Sequence, residues 1–119
     1  SSGVLDEYPK LQLIVGHLGE GLPFMLQRLD HNLPMGMTRL HRPFSSYLRE
    51  NVHYTFSGFN FLPPFLNLLM EVGVDRIMFS TDYPYASMAE GRAFLDQIPV
   101  SPSDREKIAY KNAGMLLEL

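Results

Sequence analysis

Two apolar runs in this chain each end abruptly in an ionisable residue, and that punctuation restricts the possible folds more than any other feature. Leu13-Ile14-Val15 passes through Gly16 into His17-Leu18-Gly19-Glu20-Gly21, and Met78-Phe79 passes through Ser80-Thr81 into Asp82-Tyr83-Pro84. In both places β-forming residues give way to Gly or Pro and then to a helical pattern. A short, almost wholly apolar strand followed by a helix is the mark of a parallel sheet, whose chemistry collects at the C-terminal strand ends.

The rest of the chain repeats the alternation. Residues 4–9 read as the end of a helix stopped by Pro9, and residues 11–15 as a strand buried on both faces. Leu22, Met25, Leu26 and Leu29 then fall at i, i+3, i+4 and i+7 on one helical face, with Pro23 suited to the first turn and Asn32 and Pro34 ending the helix. Residues 33–43 lack any period and read as a loop leading to a short helix over 44–50. Residues 52–57 are β-branched and aromatic, a second strand closed by Gly58. Pro63-Pro64 opens a helix whose Phe65, Leu68, Leu69 and Val72 share a face, and Gly73 closes it. A third strand is predicted over 76–81 and a helix over 87–97. The last helix starts either at Ser101-Pro102 or at the capping-box pattern Ser103-Asp104-Arg105-Glu106, and residues 112–117 continue or restart it. Strands alternating with helices predict an α/β fold of βαβ units.

Composition narrows the chemistry. At 45% hydrophobic and 19% charged residues the chain is globular, and a net charge of -3 supplies no basic footprint for nucleic acid. Without cysteine there is neither a disulfide scaffold nor a thiolate metal site, so a metal would have to be held by His, Asp or Glu. No apolar run approaches the roughly 20 residues of a membrane span and no signal peptide opens the chain, from which a cytoplasmic protein without membrane attachment is expected.

Three strings together carry a family likeness. Gly16-His17-Leu18-Gly19-Glu20-Gly21-Leu22-Pro23-Phe24, Phe79-Ser80-Thr81-Asp82-Tyr83-Pro84 and Lys111-Asn112-Ala113-Gly114-Met115-Leu116-Leu117 occur in the order and spacing of a known group. The chain resembles the last third of the amidohydrolase-related metal-dependent decarboxylases, which include dihydroxybenzoate (resorcylate-type) and aminocarboxymuconate-semialdehyde decarboxylases. That resemblance implies a (β/α)8 TIM barrel. A complete barrel takes roughly 250 residues or more, so residues 1–119 are expected to be a partial barrel domain, about strands six to eight with their helices, lacking the N-terminal strands.

The resemblance also assigns roles. It implies non-oxidative decarboxylation of an aromatic or enone carboxylic acid, with a divalent metal, Zn or Mn, and no organic cofactor. Asp82 corresponds to the metal ligand at the end of strand eight, His17 to an acid/base or orienting group beside the metal, and Glu20 to its partner. Arg28 lies where semialdehyde decarboxylases direct an arginine at the substrate carboxylate, in some cases across a subunit interface, which implies a homo-oligomer. Tyr83 and Tyr85 would line an aromatic-acid pocket or pack the barrel top.

Each residue also has a purely structural reading. His17 can be an imidazole bonded to backbone, Asp82 a turn cap before X-Pro, Glu20 a carboxylate favoured by a helix start, and Arg28 a solvated helix-face side chain. The flanking glycines, which admit a ligand or loop close to His17, favour the functional reading there. His31, His41 and His53 match no motif, and His53, alternating with strand apolars, reads as packed or hydrogen-bonded. The family's other ligands, a Glu-x-His or His-x-His pair and a fifth-strand His, are absent, so the chain alone is expected to lack a competent metal site. Two other readings stay open: a metal-assisted hydrolase of a lactone, amide or ester, and a non-catalytic assembly module.

Overall fold

The computed structural model describes residues 3–33 and 40–118. Residues 34–39 of the predicted loop lie outside the described residues. The chain forms α1 (Val4–Glu7), β1 (Leu13–Val15), α2 (Leu22–Asn32), α3 (Phe44–Glu50), β2 (Val52–Thr55), α4 (Leu62–Val72), β3 (Ile77–Met78), α5 (Met88–Gln97), α6 (Pro102–Glu106) and α7 (Asn112–Leu116). A π-helical segment, Lys107–Lys111, joins α6 to α7, so the last helix continues rather than restarts. Of the two predicted starts, Ser101 is the one used. Its hydroxyl accepts the Asp104 N–H at 3.0 Å, and Pro102 behind it occupies the first turn, where a missing N–H costs nothing.

The strands form one parallel sheet in the order β1-β2-β3. Leu13, Ile14 and Val15 face Val52, His53 and Tyr54, while Tyr54 and Thr55 face Ile77 and Met78. Strand β3 is shorter than predicted because the ladder is replaced at its end. Phe79 N–H donates to the Ile108 carbonyl at 2.8 Å, and beyond it Ser57 N–H donates to Ser80 Oγ at 2.9 Å.

Side chains alternate across a strand, and here the two faces have different fates. Val52, Tyr54, Phe56 and Ile77 point into the core, where Leu26, Leu48, Phe65, Leu68, Leu95, Ile98 and Ile108 meet them. Phe56 is the hub, with the rings of Phe65, Phe79 and Phe94 edge-on to it at centroid distances of 5.8, 5.7 and 5.6 Å. Edge-to-face pairs of this kind contribute about 0.5–1.5 kcal/mol each beyond area burial. Asn112 ties the last helix to this layer, donating from Nδ2 to the carbonyls of Val74 and Ile77, both at 2.8 Å.

The opposite face carries His53, Thr55 and Ser57 from the β2 segment. Strand β1 departs furthest from expectation. It reads as buried on both sides, yet Leu13, Ile14 and Val15 are all exposed, Ile14 by 56%. It lies at the sheet edge, so among the described strands only β2 borders it.

Candidate active site at the C-terminal strand ends

Beyond β1 the backbone takes a left-handed course through four successive residues. His17, Leu18, Gly19 and Glu20 have φ of 53°, 54°, 72° and 51°. For a residue with a Cβ this costs roughly 1–2 kcal/mol apiece, so the turn must be held from outside. Gly19 N–H donates to the Gly16 carbonyl at 3.0 Å and Glu20 N–H to the His17 carbonyl at 2.7 Å, while the fully buried Leu18 anchors the turn in the core. Position 19 favours glycine, since its φ is 72° and a Cβ there would stand 3.0 Å from the Tyr54 ring and 3.2 Å from Pro23 Cδ. The tight turn lifts His17 onto the rim.

His17 stands between two carboxylates. Its Nδ1 is 3.7 Å from Glu20 Oε1 and its Nε2 is 3.9 Å from Asp82 Oδ2. These separations exceed a direct hydrogen bond but lie within charge-pair range. The imidazole and the Asp82 side chain are each 48% exposed, open to a ligand. Phe59 meets the imidazole edge-on, with centroids 6.5 Å apart.

Asp82 is set by the loop that follows β3. Its carbonyl accepts the Ala86 N–H at 2.8 Å, closing a turn whose Tyr83–Pro84 peptide bond is cis. From the other side Gly58, with φ 78°, leaves room for it: a Cβ at position 58 would stand 2.6 Å from Ala86 Cβ and 3.3 Å from Asp82 Cβ. Below these groups Thr55, Ser57 and Ser80 form a hydroxyl cluster, with Thr55 Oγ1 and Ser57 Oγ 3.0 Å apart. Sequence reading passed over these residues, although Phe56-Ser57-Gly58 and Phe79-Ser80-Thr81 repeat the same aromatic-to-serine step at two strand ends.

A cleft of about 790 Å³ opens beside the rim, lined by His17, Glu20, Phe24, Phe59, Pro63 and Asn67 among others. Aromatic and proline walls with polar groups at one end suit a small aromatic molecule with an ionic substituent. The other predicted residues stand apart from this cleft. Arg28 lies on the exposed side of α2, one turn beyond Phe24, and Tyr83 and Tyr85 are 71% and 88% exposed.

Among the described residues no three His, Asp or Glu side chains converge as a metal cage. Asp82, a half-exposed oxygen donor beyond β3, is of a type that fits a hard divalent ion as one ligand, and the described residues do not complete a shell around it.

A family profile described as amidohydrolase matches residues 1–119. The chain belongs to the amidohydrolase family. Its sheet and helices are accordingly those of a TIM-barrel family. This amidohydrolase chain is 38% identical to a gamma-resorcylate decarboxylase of a Rhizobium species, aligned over 100% of the chain and 38% of that protein. A dihydroxybenzoic acid decarboxylase from a Polaromonas species, crystallised with manganese and 2-nitroresorcinol, superposes with a TM-score of 0.94 at 35% identity, covering 99% of this chain and 37% of that one. A 5-carboxyvanillate decarboxylase from Novosphingobium aromaticivorans, crystallised with manganese and 4-hydroxy-3-methoxy-5-nitrobenzoic acid, gives 0.90 at 34% identity over 98% of this chain and 36% of that one. The chain thus spans well under half the length of the relatives it matches.

Proposed function

We propose that the longer protein of which this chain corresponds to one part is a metal-dependent, non-oxidative decarboxylase of a small aromatic carboxylic acid. The three strands would be the sixth, seventh and eighth of its barrel. The observation that carries this reading is His17 held between Glu20 and Asp82 beside an aromatic-walled cleft, in a chain 34–38% identical along nearly its whole length to aromatic-acid decarboxylases.

The manganese in the related crystal structures supports a divalent metal here, and Asp82 would be one of its ligands. When bound, that ion supplies Lewis-acid charge at the substrate oxygens. Decarboxylation breaks the bond between the ring carbon and the carboxylate carbon and forms a C–H bond in its place, so one proton must be delivered as CO2 leaves. The pair His17 and Asp82 holds that proton at the rim: Nε2 faces the Asp82 carboxylate, and Glu20 orients the ring through Nδ1. Phe24 and Phe59 receive the aromatic ring of the substrate and keep water from its face. Arg28, exposed on α2, would reach a substrate carboxylate in a second copy of the protein, making the enzyme a homo-oligomer, and Tyr83 and Tyr85 would border the substrate from the β3 side.

The test is to supply the full-length protein with manganese and measure CO2 release from dihydroxybenzoates beside hydrolysis of lactones. CO2 release that disappears on chelation is expected. Hydrolysis without CO2 release would assign the protein to the hydrolases of its family instead.

A further inference from the structure

The inner face of the sheet carries a second polar constellation at the end opposite His17. Gln12, His53 and Arg76 stand side by side there, one from each strand segment. Arg76 Nη1 donates to Gln12 Oε1 at 2.9 Å and lies 3.1 Å from His53 Nε2. Nε2 of His53 also lies 3.1 Å from Gln12 Oε1, so the tautomer decides whether it accepts from Arg76 or donates to Gln12. Burial, and then the charge of Arg76, hold His53 below the ordinary imidazole range, which favours the neutral ring. His53 is only 9% exposed, and its Nδ1 has no hydrogen-bond partner among the described residues.

Arg76 is incompletely used as well. It is half-buried, and among the described residues its only polar partners are neutral ones bonded through Nη1. The neighbouring Asp75 is engaged by Lys107 Nζ at 3.1 Å. The Nε and Nη2 edge of the guanidinium, the one that grips an oxyanion with two parallel hydrogen bonds, is therefore free among the described residues. It borders a cleft of about 670 Å³ lined also by His53, Lys107, Lys111 and Asn112; Lys107 is paired with Asp75 at 3.1 Å and Lys111 with Glu106 at 3.0 Å, which leaves Arg76 as the cation of the cleft with no carboxylate partner among the described residues. A partly buried guanidinium bonded only to neutral groups leaves its charge uncompensated.

We propose that this cleft binds an oxyanion, a carboxylate or phosphate group, with Arg76 as the anchoring charge and Lys107 and Lys111 at the rim. The oxyanion can be a free small molecule or a carboxylate side chain from polypeptide outside this chain. Both sources offer the same chemistry to Arg76.

Inorganic phosphate and acetate, titrated separately into the 119-residue chain and into the longer protein, test this by NMR of the Arg76 and His53 side chains and by calorimetry. Saturable binding to the chain but not to the longer protein assigns the occupant to the polypeptide, whereas binding to the longer protein assigns it to a free anion. Arg76→Gln should weaken binding by about tenfold or more, the effect of losing one charge-assisted contact. Lys111→Gln, at an exposed site, should weaken it a few-fold while leaving the circular dichroism and the unfolding midpoint unchanged. No saturable binding to either protein, or affinity unaltered in a folded Arg76→Gln and in Lys111→Gln, overturns the proposal.

Discussion

His17 Nε2 lies 3.9 Å from Asp82 Oδ2, and so joins the ends of β1 and β3, two strands that are not neighbours in the sheet. The contact passes over the end of β2, which the chain keeps low by placing Ser57 and Gly58 there. Small residues also bring the strand ends together: a Cβ on Gly16 would stand 2.7 Å from Ser57 Oγ. The candidate site thus brings His17 and Asp82 together across the small residues between them.

His17 and Asp82 should fail differently in the full-length protein. Asp82→Ala removes the proposed oxygen ligand, so metal content and turnover should fall together. His17→Asn keeps the size and one hydrogen-bonding edge but removes the titratable ring. It should retain the metal and lose roughly two to four orders of magnitude in rate, the usual worth of a positioned acid/base group. Metal analysis beside steady-state kinetics separates the two, and loss of metal from His17→Asn would make it a ligand instead.

Gly58→Ala tests the space above β2. The new methyl would meet Ala86 and Asp82 at a residue with φ 78°, so left-handed strain alone should cost about 1–2 kcal/mol. The Asp82 loop must then move away from His17. A lower unfolding midpoint together with lower activity is expected, while an active, fully stable variant would show that the loop yields without consequence.

Much of this was legible from local signals. Helices α2 and α4 follow from their apolar spacing and the proline in their first turns, and the strand-end positions of His17 and Asp82 follow from where the apolar runs stop. What escaped depends on register between distant segments. Gln12 and Arg76 are 64 positions apart, and nothing near either shows that both meet His53. The exposure of β1 was hidden for a related reason: Leu13-Ile14-Val15 has the composition of a strand buried on both faces, but cover must come from elsewhere. The Ser57 to Ser80 bond was invisible because serine at a strand end reads as a turn residue whatever it touches.

Tyr54 gives the fold an alkaline limit. Its phenol is buried in the core, donates to the Leu48 carbonyl at 2.8 Å, and is pushed up by burial from 10.0 to about 12. The folded state therefore holds this proton more tightly than the unfolded chain does. The corresponding stability is fully present below pH 10 and declines as pH rises from 10 towards 12. Tyr54→Phe should lose about 1 kcal/mol near neutrality with the hydrogen bond, yet show a shallower loss of stability in that alkaline window. Denaturant titrations at several pH values check the slope, and equal slopes for the two proteins would assign the alkaline loss to other groups.

The edge of β1 yields the last prediction. Leu13, Ile14 and Val15 expose apolar side chains on a strand whose outer backbone groups have no strand partner among the described residues. An exposed, apolar, unpaired edge is a template for pairing with another chain. The 119-residue chain alone should therefore associate, with an average mass by light scattering that rises with concentration. Ile14→Lys places a charge on the inner face at the point of greatest strand exposure, and because that side chain lies opposite the core it should not disturb Phe56 or its neighbours. The variant should shift the distribution towards monomer while its circular dichroism stays the same. If the wild-type chain is instead monodisperse and monomeric across the concentration range, the β1 edge is protected by something other than a strand, and the exposed apolar strip does not drive association.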